Sequence, residues 1–208
     1  MSTESVRHSL TIIQQPKRAR VTLAGEREKR VADPCPIVQL RILRADGTED
    51  TQMIWERAFV LFVTLFDESG EIEYSAARTP GPAGDRGEAY EQIMLGSLVS
   101  SVHFLRDLDD NPGFFFCFPD IRVSHAGVFR LRFSLLQLPQ AERPDTRATS
   151  IIGHVVSDPF RVYAHRDFPG VDESTPLTKK FAMQGVGIPI RNKGRLKHDD
   201  AAGEEPAP

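Results

Sequence analysis

The chain has 208 residues, 40% of them hydrophobic, with 26 Lys and Arg against 29 Asp and Glu and a formal net charge of −3. This is enough apolar material for one large buried core, or two small ones, while the slightly acidic total excludes a general polyanion binder, so any nucleic-acid contact has to come from local charge. Cys35 and Cys117 stand far apart with no CxxC or paired-His spacing, which argues against a disulfide framework or zinc site, and no apolar run reaches the roughly 18 to 20 residues that cross a bilayer. Without a secretory leader at the N-terminus, a soluble protein in a reducing compartment is expected.

In chain order, residues 1–8 are polar and expected to be flexible. A strand is predicted over 9–14, and behind it Gln14-Gln15-Pro16-Lys17-Arg18-Ala19-Arg20 sets three cations within four residues. Further cations follow at Arg27, Lys29 and Arg30, until Pro34-Cys35-Pro36 stops the segment before a strand predicted over 37–43. A basic loop held between two strands can present guanidinium groups to phosphates and base edges at fixed positions. A solvated face, a nuclear-import signal or a nonspecific polyanion patch are the competing readings of such a cluster.

The next strand is predicted over 58–66. Residues 67–92 then read as a long connection, with the breaker run Thr79-Pro80-Gly81-Pro82-Ala83-Gly84 and one or two helical turns over 88–94. Apolar residues are in excess over 54–66 and 93–105, which fits a buried sheet first and a partner surface second. Strands are predicted again over 114–118, 120–124, 127–138, 151–156 and 159–164, with an extended connection over 138–150. In 127–138, Phe129, Leu131, Phe133 and Leu135 alternate with Arg130, Arg132 and Ser134, so one face packs on a core and the other is polar. A capped helix is predicted over 174–185, with a hydroxyl before Pro176 and Gly185 as its stop. The remaining tail, 193–208, is polar and expected to be disordered. Many short strands with Gly and Pro between them indicate an all-β sandwich or barrel with minor helices, occupying residues 9–192 as one domain.

The residues that could carry catalysis do not assemble into a motif. His103, His125, His154 and His165 share no metal-ligand spacing, and Ser100-Ser101 beside His103 lacks a Gly-x-Ser-x-Gly elbow. Asp107, Asp109 and Asp110 begin like a calcium loop, but Phe114-Phe115-Phe116 follows where the bidentate glutamate belongs. Those aromatics, with Phe118, could stack on unpaired bases, yet no cation is interleaved with them and they are assigned to packing. No catalytic residue, metal site, cofactor or small-molecule substrate is therefore expected.

Ordered blocks along the chain closely resemble the velvet domain of fungal developmental regulators. They begin with Leu10 to Arg20, then Gly25, Lys29, Arg30, Asp33-Pro34 and Pro36 to Leu40, and continue through Gly96 to Ser101, Leu105 to Asp109, Gly113 to Phe116 and Phe118 to Ile121. They go on through Gly127 to Leu135, Ser157 to Val162, Phe168 to Gly170, Ser174 to Thr178 and Phe181 to Val186, spanning roughly residues 8 to 192. The chain departs from the pattern at Cys35 and in the 138–150 connection. The resemblance implies an immunoglobulin-like sandwich similar to the Rel-homology domain, whose loops enter the DNA major groove. On that basis Lys17, Arg18 and Arg20 are the expected base- and phosphate-reading residues, with Arg27, Lys29 and Arg30 next; Arg41, Arg44, Lys179 and Lys180 complete the candidates.

It further implies a nuclear transcriptional regulator of development, sporulation and secondary metabolism, with a possible cytoplasmic pool, whose partners are double-stranded DNA and another velvet-domain protein, as a homodimer or heterodimer. The alternative is a velvet-type dimerisation and nuclear-escort module that uses its basic segment without reading bases.

Overall fold

The computed structural model describes residues 6–22, 30–80, 88–138 and 151–192. In chain order the elements are β1 (Arg7–Gln14), β2 (Arg18–Arg20), β3 (Ile37–Leu43), α1 (Thr51–Glu56), β4 (Phe59–Asp67), β5 (Ala76–Pro80), β6 (Glu88–Gln92) and β7 (Met94–Gly96). They continue with β8 (Val99–Ser101), β9 (His103–Arg106), β10 (Pro112–Cys117), β11 (Ile121–Val123), β12 (Gly127–Gln137), β13 (Ile151–Val156), β14 (Phe160–Tyr163), a 3-10 turn at His165–Asp167, and α2 (Pro176–Met183). One sheet has the order β1-β3-β10-β9. The other runs β2-β14-β12-β4-β8, with β13 also paired to β12, and the pairs β11-β7 and β5-β6 stand apart. The fold is an all-β sandwich, as the strand pattern implies.

Alternation explains how the two sheets meet. Leu131, Phe133 and Leu135 of β12 and Leu61, Val63 and Leu65 of β4 face Val38, Leu40 and Ile42 of β3 and Phe114 and Phe116 of β10 in one buried cluster. Phe118 and Phe133 close it, with ring centroids 5.1 Å apart. The unbroken Phe114-Phe115-Phe116 run has a separate cause: its sheet is covered on both faces. Phe115 and Cys117 point away from the main core and join Cys35, Ile37, Leu105, Phe181, Val186 and Ile188 in a second buried cluster beneath α2. Phe115 and Phe181 lie 4.8 Å apart between centroids.

The helix is held by its cap and by the end of β1. Thr175 accepts from Thr178 N–H at 3.1 Å as the N-cap, and its own hydroxyl donates to Gln14 Oε1 at 2.6 Å. Buried Gln14 in turn donates from Nε2 to the Cys35 carbonyl at 2.7 Å and to Thr178 Oγ1 at 2.9 Å, which ties helix and sheet together. At the other end of the helix, the Gln184 amide accepts from Arg106 N–H at 2.8 Å and donates to the Arg106 carbonyl at 2.9 Å.

Both cysteines are free and buried beneath this helix. Burial pushes the Cys35 thiol from 9.0 up to about 11, and burial again, followed by the neighbouring Cys35, raises Cys117. An unfolded chain releases these protons at lower pH than the folded one. Stability is therefore expected to fall as pH climbs from about 9 toward 11, and a Cys35→Ala, Cys117→Ala double variant should lose part of that dependence in chemical denaturation.

Several expectations need correction. Residues 88–94 are not helical: β6 pairs in antiparallel register with β5, from Ala76↔Gln92 to Pro80↔Glu88, and the next strand begins at Met94. A helix of seven residues between Gly87 and Gly96 has too few internal hydrogen bonds to repay its nucleation, whereas a neighbouring strand offers every residue a partner. That hairpin also replaces much of the structureless 67–92 connection. The apolar stretch 93–105 resolves into three short strands, β7, β8 and β9. Helix α1 had no counterpart among the predicted elements; its signal is Asp50, whose carboxylate accepts from Met53 N–H at 3.1 Å.

The predicted strand 120–124 shrinks to β11, which pairs with β7 outside the main sheets. The 138–150 connection beyond Leu138 and the tail from 193 onward lie outside the described residues.

Candidate nucleic-acid interface

The basic segment begins as a strand rather than a loop. Arg18, Ala19 and Arg20 pair in parallel with Arg161, Val162 and Tyr163 of β14. Ala19 and Val162 are fully buried in the main core, so period-two geometry turns Arg18, Arg20, Arg161 and Tyr163 to the outer face. Lys17 precedes them and is exposed. The result is a row of cations on two adjacent strands of a packed sheet, with the Arg161 guanidinium 5.3 Å from the centre of the Tyr163 ring.

Backbone hydrogen bonds fix this row to the sandwich. Lys17 and Arg18 N–H both donate to the Asp33 carbonyl at 3.0 Å, Asp33 N–H returns a bond to the Arg18 carbonyl at 2.7 Å, and Arg161 N–H donates to the Lys17 carbonyl at 3.3 Å. On either side of residues 23–29, Thr22 N–H donates to Val123 at 3.0 Å and Ala32 N–H donates to Ile121 at 2.8 Å. Asp33 is itself almost wholly buried. Its carboxylate takes Arg191 on one oxygen and the Asp172 N–H, at 3.0 Å, on the other, so three separated parts of the chain converge on it.

The candidate cations divide into those on this face and those elsewhere. Arg18 lies on it, but its guanidinium donates to Asp172 Oδ2 at 2.7 Å; the Arg18 side chain is 24% exposed and that of Asp172 is 65% exposed. Lys179 is paired with Glu173, the residue after Asp172, and so belongs to the same border. Arg30 lines a neighbouring cleft of about 410 Å³ with Pro119, Asp120, Val171 and Arg191.

Lys180 pairs with Asp110, on the turn between β9 and β10, and Arg41 and Arg44 pair with Glu49 and Asp50. At about 3.3 Å per residue, Arg44 lies roughly 23 Å from the Ile37 end of β3, where β1 leads toward the cation row. Arg27 and Lys29 lie outside the described residues.

Sequence reading missed Arg161, Tyr163 and Asp172. A parallel pairing across some 140 residues leaves no local mark, and an exposed Asp-Glu pair in a connection carries none.

Other groups are accounted for by packing. Arg130 donates to the Glu68 and Ser157 carbonyls at 2.7 and 2.9 Å, and Arg132 stacks its guanidinium 3.8 Å above the Phe66 ring, so both serve the outer face of their sheet. Asp107 accepts from Asp109 and Asn111 N–H at 2.9 Å and shapes the turn before β10. Among the described residues, no group of three or more His, Cys, Asp or Glu side chains is placed to hold a metal ion.

The family model described as Velvet factor matches residues 8–86 and 71–194. The sexual development regulator umv3 of Mycosarcoma maydis is 37% identical over 199 residues, covering 95% of this chain and 48% of its own length. The sexual development regulator VELC of Pyricularia oryzae is 38% identical over 194 residues, covering 91% of this chain and 42% of its own. The spore development regulator vosA of Beauveria bassiana is 35% identical over 185 residues, covering 88% and 65%. The chain thus spans about half the length of the first two relatives and two thirds of the third.

Proposed function

The chain belongs to the velvet family, and from that premise we propose that it is a developmental regulator that binds double-stranded DNA sequence-specifically, acts as a dimer in the nucleus, and controls fungal development, sporulation and secondary metabolism. The names of the relatives support the developmental part of this reading. One observation carries the DNA-binding part: Lys17, Arg18, Arg20 and Arg161 share one border of a rigid sheet, their backbones pinned by the β2-β14 pairing and by Asp33. Guanidinium groups held on a framework reach phosphate oxygens and guanine edges without first ordering a loop, which is what base reading needs.

The test is site selection on random duplexes followed by binding of the selected site. Arg18→Ala and Arg20→Ala are each expected to lose about 1 to 3 kcal/mol of discrimination between that site and a scrambled one, if each contacts a base, while Lys17→Ala weakens both duplexes alike. An unchanged site preference in both arginine variants, with circular dichroism unaltered, refutes the reading.

A second reading is favoured by one specific feature. Trp55 and Phe104 are 65% and 52% exposed and meet edge to face, with ring centroids 5.1 Å apart. An apolar patch of this kind fits a protein-binding module that escorts a partner to the nucleus without reading bases. It predicts weak duplex binding, blind to sequence and abolished at moderate salt.

A further inference from the structure

The free protein already places an anion where Arg18 would meet DNA. Asp172 Oδ2 lies 2.7 Å from Arg18 Nη2, and a carboxylate oxygen on a guanidinium makes the same charge-assisted contact as a phosphate oxygen. Two features make the carboxylate displaceable. Its side chain is 65% exposed, so water receives it without a burial penalty. Its backbone is anchored, because Asp172 N–H donates to the Asp33 carboxylate at 3.0 Å and its carbonyl accepts from Arg191 Nε at 3.3 Å. Rotation of its own side chain therefore releases Arg18 while the segment stays in place. Its neighbour Glu173 holds Lys179 at 2.5 Å, so the acidic stretch lies directly against the basic border. Arg161, the register partner of Arg18, makes no ion pair among the described residues.

We infer that Asp172 is an intramolecular competitor of DNA: its carboxylate occupies Arg18 in the free protein and gives way to an acceptor on the DNA, a phosphate oxygen or a guanine edge, when a duplex binds. The inference rests on the DNA-binding reading above. It means that Arg18 contributes only the difference between two charge-assisted contacts, so the cation row is weaker toward any duplex than its charge suggests. The released carboxylate also takes up a cation from solution, which offsets part of the counterion release that drives binding.

The test uses the full chain and a 20-base-pair duplex of random sequence labelled with fluorescein, followed by anisotropy across a salt series. Asp172→Asn is expected to bind about two- to fivefold tighter at low salt, the range an exposed ion pair supplies, and its log affinity should fall more steeply with log salt, by up to about one unit. Asp172→Glu restores the carboxylate and should return affinity to the wild-type range. If the asparagine variant fails to fold, Asp172→Ser takes its place.

If Arg18→Ala weakens binding but removal of the Asp172 carboxylate leaves affinity and salt slope unchanged, the competition is overturned while the DNA-binding reading stands. If Arg18→Ala has no effect while the chain still binds a duplex, the competition falls alone; if no form of the chain binds a duplex, both fall. A double variant, Arg18→Ala with Asp172→Asn, that still shows the tightening also overturns the inference, because the effect then does not pass through Arg18.

Discussion

Gly96→Ala is expected to be the most damaging glycine-to-alanine change among the described residues, lowering stability by about 3 kcal/mol or more and leaving little folded chain at 37 °C. Two independent penalties meet there. Gly96 has φ of +100°, where an L side chain clashes with its own backbone. A Cβ at that position would also sit 1.6 Å from the Asp120 carbonyl oxygen, far inside contact distance and against backbone that cannot rotate away. The close approach is the β7-β11 pairing itself, in which Ile121 registers with Gly96. Because β11 also receives the Thr22 and Ala32 N–H groups on either side of residues 23–29, the damage should spread to the base of the cation row. Thermal unfolding followed by circular dichroism measures the first effect, and loss of duplex binding at a temperature where the variant is still folded would show the second. A variant with an unchanged melting temperature would contradict the geometry.

Asp33→Ala is expected to come next, at about 3 kcal/mol or more. Removing the carboxylate leaves the Arg191 guanidinium without its buried counter-charge and the Asp172 N–H without its acceptor, and losing one member of such a pair costs about 3 to 5 kcal/mol when burial is complete. Arg191 is 27% exposed on its side chain, so water recovers part of that loss and the lower end of the range applies. Asp33→Asn keeps an acceptor for the Asp172 N–H and should fall between wild type and alanine. Urea denaturation of the three proteins gives the order directly. Equal stability of the alanine and asparagine variants would mean that the charge, rather than the hydrogen bond, accounts for the whole effect.

The parts of the fold that were legible in the sequence are those whose cause is local. The alternation of Phe129, Leu131, Phe133 and Leu135 with polar residues marks β12 and its buried face, and Thr175-Pro176 with Gly185 marks both ends of α2. The Phe114-Phe115-Phe116 run announced packing, though only the position of α2 explains why Phe115 is buried on the far side from its neighbours. What was missed depends on distant partners. Glu88 to Gln92 becomes a strand because β5 lies beside it, and Arg18 to Arg20 becomes a strand because β14 does. For the candidate site, the sequence put Lys17, Arg18 and Arg20 ahead of Arg41, Arg44 and Lys180, but it held no sign that the latter three have carboxylate partners elsewhere on the molecule. Arg161 and Asp172 become visible only when the parallel pairing and the Asp33 junction bring them to Arg18.

The amide of Gln184 across Arg106 bears on solubility. An outermost strand presents bare peptide groups that can recruit a matching strand from another molecule and begin open-ended stacking. Here a side chain from the helix occupies both the donor and the acceptor of one residue at the end of β9, imitating a peptide neighbour without extending the sheet. A passing chain that tried to lie along that border would have to expel the mimic first, so the helix that roofs the cysteine cluster also guards the protein against self-templating at this margin.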